Sequence, residues 1–118
     1  MIDDLKNRTK AFAVRIIGLH NSLREKNSAN VIAHQVLKSG TSVGAHCAEA
    51  SRAKSRADFL NKIVGATQEL EETLYWLDLM VEARLVKATR PELLRKEADE
   101  LMAILTTIAK KTKTGKRV

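Results

Sequence analysis

The sequence is poor in the residues that mark small cross-linked or sheet-rich domains. It has one Cys, one Pro and five Gly in 118 residues, and only 3% of its residues are aromatic. A single Cys can neither close an intramolecular disulfide nor supply a multi-Cys zinc site, which excludes both classes of small scaffold. The scarcity of Pro and Gly argues against a sandwich with many turns and against low-complexity disorder.

The sequence also lacks a stretch that could enter a membrane. The uncharged residues 39–48 are rich in Ser, Thr and Gly and are too few to cross a bilayer, so we expect no membrane partner. The chain starts with Met-Ile-Asp-Asp, whereas a signal peptide has a basic start and an apolar centre. We therefore expect a cytoplasmic protein.

Apolar residues recur at spacings of three and four along the chain, which is typical of amphipathic helices. The pattern predicts four helices, at about residues 3–24, 28–53, 55–84 and 89–110. Ser55 with Asp58 and Thr89 with Glu92 have the spacing of a capping box and predict the last two helix starts. Because short connections make successive helices antiparallel, we predict an all-α, up-down-up-down four-helix bundle over residues 1–110. Residues 111–118 would form a basic, disordered tail.

This connectivity would gather the positive charge at one end of the bundle. The start of the first helix, the junction of the second and third, and the end of the fourth would share that end, with eleven basic residues against four acidic ones. That difference equals the whole formal charge of +7. We expect this end to bind RNA or DNA through phosphate contacts, without base stacking, because no aromatic residue lies among the cations. The candidate nucleic-acid-binding residues are Lys6, Arg8, Lys10, Arg52, Lys54, Arg56, Lys110, Lys111 and Lys113.

The positive charge at this end is also compatible with two roles that involve no nucleic acid. The basic residues could be ordinary solubilising surface charge. Alternatively, the protein could be an oligomeric scaffold or accessory subunit whose basic end docks an acidic partner protein, with no direct nucleic-acid contact.

The third predicted helix is apolar on nearly every side at one point. Seven of the eight residues from Leu74 to Val81 are apolar or aromatic. A wide core contact would produce this pattern, and so would a second buried face against another copy of the chain. The candidate interface residues are Leu74, Tyr75, Trp76, Leu79 and Val81.

The second predicted helix carries a stripe almost without side chains. Gly40, Gly44 and Ala48 are spaced four apart. Because a Gly in a helix interior costs about 1 kcal/mol, the stripe predicts close approach by a neighbouring helix, or else a break into a loop between the two Gly residues. Polar residues beside the stripe would need internal hydrogen-bond partners, and we expect Glu69 and Glu72 of the third helix to supply them. The predicted buried polar cluster contains Ser39, Ser42, His46, Glu69 and Glu72.

No residue pattern indicates catalysis, a metal or a cofactor. A di-iron bundle needs two Glu-x-x-His motifs, whereas only the reversed His46-x-x-Glu49 occurs. Cys47 follows His46 directly, and adjacent helical side chains point about 100° apart, which does not form a dyad. We therefore predict no enzyme, no cofactor and no small-molecule substrate.

Several segments together resemble the four-helix-bundle proteins encoded within 23S ribosomal RNA intervening sequences. The resemblance implies an up-down-up-down bundle, assembly as a homo-oligomer, typically a pentamer, and a poorly defined biochemical role. Similar bundles are accessory proteins of reverse transcriptases in diversity-generating elements and contact nucleic acid. One departure is His46, where the family usually has Asn. The segments are residues 12–17, residues 35–50, Arg52, Phe59, and the run from Glu69 through Glu72 to Tyr75-Trp76-Leu77.

Overall fold

The computed structural model describes residues 2–23 and 27–115. Within those residues the chain forms four α-helices and no strand, which confirms the predicted all-α class. The molecule extends 46 × 20 × 19 Å. No helix in the described ranges combines the length and apolarity that a membrane span requires. The helices are α1 (Ile2–Ser22), α2 (Asn27–Ala50), α3 (Arg56–Glu82) and α4 (Glu92–Lys113).

One apolar core receives a stripe of side chains from every helix. The stripes follow the spacing of three and four that the sequence predicts, and each buried Leu, Ile or Phe stabilises the fold by about 1.5–3 kcal/mol. α2 packs against both α1 and α3, and α4 packs against α3 and less extensively against α1. The largest fully buried side chains include Phe12, Ile16, Leu19, Val36, Val43, Ile63, Leu70, Leu77, Met80, Leu101, Leu105 and Ile108.

The glycines of α2 permit a close contact with α1. A Cβ built at Gly40 would lie 2.8 Å from Cγ1 of Ile16, and one at Gly44 would lie 3.2 Å from the carbonyl oxygen of Thr9. α2 is continuous through this region. The predicted close approach is therefore confirmed, and the alternative of a loop between Gly40 and Gly44 is wrong.

The predicted N-cap of α3 is confirmed, whereas the predicted N-cap of α4 is wrong. Ser55 is the N-cap of α3, and its Oγ accepts a 3.0 Å hydrogen bond from the backbone N–H of Asp58. The predicted cap at Thr89 is wrong, because Pro91 is the N-cap of α4 and no side-chain capping bond is made. The chain turns before the helix: the N–H of Arg90 donates to the carbonyl of Lys87, and Pro91 is buried.

The end of α4 lies beyond the predicted one. The helix continues to Lys113 instead of fraying after Lys110, because Ile108, Ala109 and Thr112 are buried. Gly115 follows with a φ of 76°, a conformation that glycine adopts at little cost. The predicted tail boundary at residue 111 is therefore too early, and residues 116–118 lie outside the described residues.

Candidate nucleic-acid interface

Two groups of exposed cations meet at one end of the molecule. Arg52, Lys54 and Arg56 lie on the α2–α3 junction and the first residue of α3, and all three are exposed. The last turn of α4 contributes Lys110, Lys111 and Lys113, which are exposed as well. A Cβ built at Gly115 would lie 2.9 Å from Nη1 of Arg56, so the end of α4 directly adjoins the start of α3. The structure therefore brings six of the nine predicted binding residues together.

The cations at the start of α3 lie where they destabilise the helix. A helix N-terminus carries a partial positive charge, and a nearby cation costs about 0.3–1 kcal/mol. Arg56 is the first residue of α3, and Lys54 comes directly before the N-cap Ser55. Asp58 offsets part of this charge, and its Oδ2 accepts the backbone N–H of Lys54 at 3.1 Å. The lysines of α4 lie at a helix C-terminus, where the dipole favours them.

Arg8 does not belong to this group of free cations. Its Nε and Nη2 donate hydrogen bonds of 2.7 Å to the two carboxylate oxygens of Glu97, and Nη2 also donates to Glu100 at 2.9 Å. These bonds raise the pKa of Arg8 above its ordinary value. The Arg8 guanidinium holds the pKa of Glu97 below its ordinary value, against the opposing effect of burial. Glu97 and Glu100 of α4 therefore engage Nε and Nη2 of Arg8, and a role for Arg8 as a phosphate ligand stays a prediction.

Lys6 and Lys10 lie along the contact between α1 and α2. They line a groove of about 410 Å³ between α1 and α2. The other residues that line this groove have short side chains. These side chains leave the groove open beside the close contact between Gly44 and α1. We call this surface the α1–α2 groove; its lining residues are Lys6, Asn7, Lys10, Ala13, Thr41, Gly44, Ala45 and Ala48.

The polar residues of α2 find partners other than the predicted ones. The Ser39 and Thr73 hydroxyl oxygens lie 2.8 Å apart, joining α2 to α3 inside the core. Ser39 also donates to the carbonyl of Gln35, and Ser42 donates to the carbonyl of Lys38. The predicted partnership with Glu69 and Glu72 is wrong for these two hydroxyls, because backbone carbonyls and Thr73 satisfy them.

The remaining members of the predicted polar cluster lie nearer the surface. Glu72 is exposed, and its Oε1 accepts a 3.2 Å hydrogen bond from Nε1 of Trp76. Glu69 is half-buried, and its backbone carbonyl oxygen lies 2.8 Å from the Thr73 hydroxyl oxygen. His46 is half-buried against Gly65, where a Cβ would lie 2.9 Å from Cε1. Its Nδ1 has no hydrogen-bond partner among the described residues and lies 3.8 Å from Oε1 of Glu49.

Thr73 could have been found from the sequence. It lies three residues after Leu70 and four before Leu77, which are both core residues. A hydroxyl at such a position is buried and needs a partner. Ser39, three residues after the buried Val36, occupies the equivalent position on α2.

The predicted interface residues of α3 divide into two sets. Leu74 and Trp76 are half-buried and pack against the core, as a wide core contact requires. Leu79 and Val81 are also half-buried. Tyr75 is 59% exposed, and its ring meets that of Trp76 edge to face, with 5.0 Å between the centroids. Core packing therefore accounts for part of this apolar region and leaves Tyr75 on the surface.

Cys47 is fully buried, and burial raises the pKa of its thiol. A raised pKa reduces the thiolate fraction, which makes the sulfur a poor nucleophile at neutral pH.

Within residues 2–23 and 27–115, no three His, Cys, Asp or Glu side chains come together as a metal site would need.

The structure defines a four-helix protein with a cationic end and an exposed aromatic residue on α3. The family of 23S rRNA-intervening sequence proteins matches residues 4–107, and the chain belongs to that family, as its resemblance implies. A crystal structure from Bacteroides thetaiotaomicron, described as a protein with unknown function from the S23 ribosomal protein family, is similar with a TM-score of 0.84 and 38% identity. The similarity covers 90% of this chain and 98% of the other. No curated protein matches the chain.

Proposed function

We propose that this chain is a cytoplasmic, non-catalytic protein that assembles as a cyclic homo-oligomer and binds nucleic acid through its cationic end. The observation that carries the proposal is the meeting of the Arg52–Arg56 segment with the last turn of α4, marked by the contact of Gly115 with Arg56. Six exposed cations lie in these two segments, and Asp58 lies beside them in the first turn of α3. Such a surface neutralises phosphates and releases their counterions.

The proposed architecture is an up-down-up-down bundle. Contacts between neighbouring helices support this order. Along each helix pair, a contact made by a later residue of the first helix involves an earlier residue of the second helix. Thr9 and Ile16 meet Gly44 and Gly40, which favours antiparallel α1 and α2. The other two helix pairs have the same pattern: Ser39 with Thr73 and His46 with Gly65, then Arg56 with Gly115 and Asp78 with Arg95.

The expected binding mode is electrostatic. Trp76 and Tyr75 lie on α3 well past its cationic start, and Phe59, which follows Arg56 by three residues, is half-buried and packs against the core, so these rings supply no stacking platform among the cations. Recognition then depends on phosphate contacts, and the affinity carries little sequence preference. In a cyclic oligomer the cationic ends would form a ring and strengthen the local field.

Binding of the full chain to a short RNA and to a duplex DNA, measured by filter retention across a salt series, tests the proposal. The affinity should fall by a factor of about 10³ or more between about 50 and 200 mM salt if six phosphates are contacted. Absence of retention at the lowest salt would overturn nucleic-acid binding. An oligomer that binds no nucleic acid would instead favour a protein scaffold that docks an acidic partner through the same cations.

The mass of the protein in solution, before and after nuclease treatment, tests the oligomer separately. We expect a homo-oligomer, and a pentamer by resemblance, whose protein mass survives removal of any copurifying nucleic acid. A monomer at all concentrations would contradict the proposed oligomer and would leave the conclusion about nucleic-acid binding unchanged.

A further inference from the structure

The outer face of α3 is acidic around one exposed aromatic residue, and Arg95 of α4 pairs with its Asp78 at 2.9 Å. Between Gly65 and Glu82, α3 has five acidic residues and no Lys or Arg. Four of these acids lie at helical spacings of three, four and seven from Tyr75, and a face with this spacing is continuous. We call it the α3 ridge; its residues are Glu71, Glu72, Tyr75, Asp78 and Glu82.

Tyr75 projects from this ridge beside Trp76. Its edge-to-face contact with Trp76 has an interplanar angle of 76°, and Glu72 holds Trp76 by a hydrogen bond. A Tyr ring held in this way offers a large contact area and loses little conformational entropy on binding. With 59% of Tyr75 exposed, most of that area is not covered by the residues that the structure describes.

The α1–α2 groove has the opposite properties. Its lining residues include two lysines and no acid. Gly44 and three alanines give it a shallow, mostly apolar floor, and its volume of about 410 Å³ is within the range of pockets that hold an aromatic group. The rim of Lys6 and Lys10 would face acidic residues that surround an inserted ring.

We propose that the α3 ridge of one copy docks into the α1–α2 groove of a second copy, with Tyr75 inserted over Gly44 and Ala45. The inference rests on the proposed oligomer and names its contact. Charge complementarity selects this pairing, because contact between two ridges would place acidic residues against acidic residues. Because the ridge and the groove are different surfaces, the contact is heterologous, and its repetition closes a ring when the rotation permits. Lys6 and Lys10 are then interface residues instead of nucleic-acid ligands.

Charge reversal tests the pairing. K6E/K10E changes the groove, and E71K/E82K changes the ridge at two acids that form no ion pair within the described residues. We expect each double variant to lose the wild-type oligomer mass, measured by light scattering, while circular dichroism shows the same helical content. The quadruple variant carries both reversals on every copy and should regain that mass.

The matched control is K87E/K96E, which changes the net charge by the same amount as K6E/K10E at two exposed positions outside the cationic end, the groove and the ridge. This variant should keep the wild-type mass. If K6E/K10E and E71K/E82K also keep it, or if the quadruple variant stays dissociated, the proposed contact is wrong while the oligomer stands. A wild-type monomer would overturn both.

A cysteine pair tests the geometry independently. The native Cys47 is buried with a raised pKa and does not interfere. Under copper phenanthroline oxidation, A45C/Y75C should form a ladder of disulfide-linked chains, whereas A45C and Y75C alone should not. Efficient cross-linking of Y75C alone would show a ridge-to-ridge contact and would overturn the proposal.

Discussion

The guanidinium of Arg8 on α1 chelates the carboxylate of Glu97 on α4 with two hydrogen bonds of 2.7 Å. α1 and α4 have the least extensive packing of the helix pairs in contact. This ion pair and its extension to Glu100 therefore fasten the two ends of the chain where the apolar contact is smallest.

Replacing either partner of this ion pair should destabilise the fold moderately. Glu97 is 17% exposed and Arg8 36%, so we expect E97Q and R8A each to lower the free energy of unfolding by about 1 kcal/mol. R8K should recover little, because an ammonium group cannot chelate both oxygens. Urea unfolding of the three variants measures this. A full recovery by R8K would contradict the bidentate arrangement.

The pH dependence of that contribution has a definite sign. Because the pKa of Glu97 is lowered in the folded state, the unfolded state binds its proton more readily. The stabilisation is complete above the unfolded pKa, at about 4.3, and is lost as the pH falls through the lower folded value. The difference in unfolding free energy between wild type and E97Q should therefore shrink between neutral pH and pH values below about 4. A difference that grows on acidification would refute this assignment.

The glycines of α1 and α2 offer a matched comparison. A Cβ at Gly40 would lie 2.8–3.0 Å from three atoms of the buried Ile16, so G40A should destabilise the protein by about 1–3 kcal/mol. No side chain and no other helix of the described residues comes within 4 Å of a Cβ at Gly18, so G18A should stabilise α1 by about 0.5–1 kcal/mol. Thermal unfolding of both variants checks the two signs. Stabilisation by G40A would show that α1 and α2 are not in the close contact described.

Arg84 ends α3 in a conformation that usually requires glycine. Its φ is 61°, and the N–H groups of Arg84 and Leu85 donate to the carbonyls of Val81 and Met80, as in a Schellman motif. R84G should raise the free energy of unfolding by about 1 kcal/mol, which corresponds to roughly 4 °C in Tm. R84A, which keeps the Cβ and removes the charge, is the control and should leave the stability near wild type. If both variants gain equally, the charge and not the backbone conformation is the cause.

Cys47 reports on opening of the core. Its side chain is fully buried beside Thr9, and burial raises its pKa. We expect an aromatic disulfide reagent at pH 8 to modify Cys47 only as fast as the protein opens, and at the rate of a free thiol in denaturant. Rapid modification of the native protein would contradict the packing of α2 against α1 and α3.

The helices and their buried faces could be predicted from local spacing. Apolar residues at spacings of three and four predicted the buried stripe of each helix. These stripes include Phe12, Val43, Leu70 and Leu105, which all lie in the core. Ser55 was also within reach, because an N-cap depends on residues next to it in the sequence. Thr89 satisfied the same local pattern, but the turn at Lys87–Arg90 and the burial of Pro91 start α4 later. Tertiary packing, and not the local capping pattern, therefore determined where α4 begins.

Pairing between distant residues was not accessible from the sequence. Arg8 and Glu97 are 89 residues apart, and their contact depends on how α1 and α4 are placed relative to each other, which no local spacing encodes. Arg8 therefore looked like one more cation of the basic end. Topology also assigns Lys6 and Lys10 to that end, and the structure places them along the α1–α2 groove, whose lining includes Ala48, one helical turn before Arg52. The cations at Arg56 and after Ala109 were assigned by the same argument, and here the contact of Gly115 with Arg56 agrees with it.

The central claim, that the end formed by the start of α3 and the last turn of α4 binds nucleic acid, is tested most directly by comparing two triple variants in the salt series. R52Q/K54Q/R56Q removes three cations from the proposed surface, and K38Q/K87Q/K96Q removes three exposed cations elsewhere. We expect the first variant to lose affinity for RNA and to show a salt slope shallower by about 2–3, while the control stays near wild type. Equal losses in the two variants would mean that only net charge matters and would contradict binding at this end.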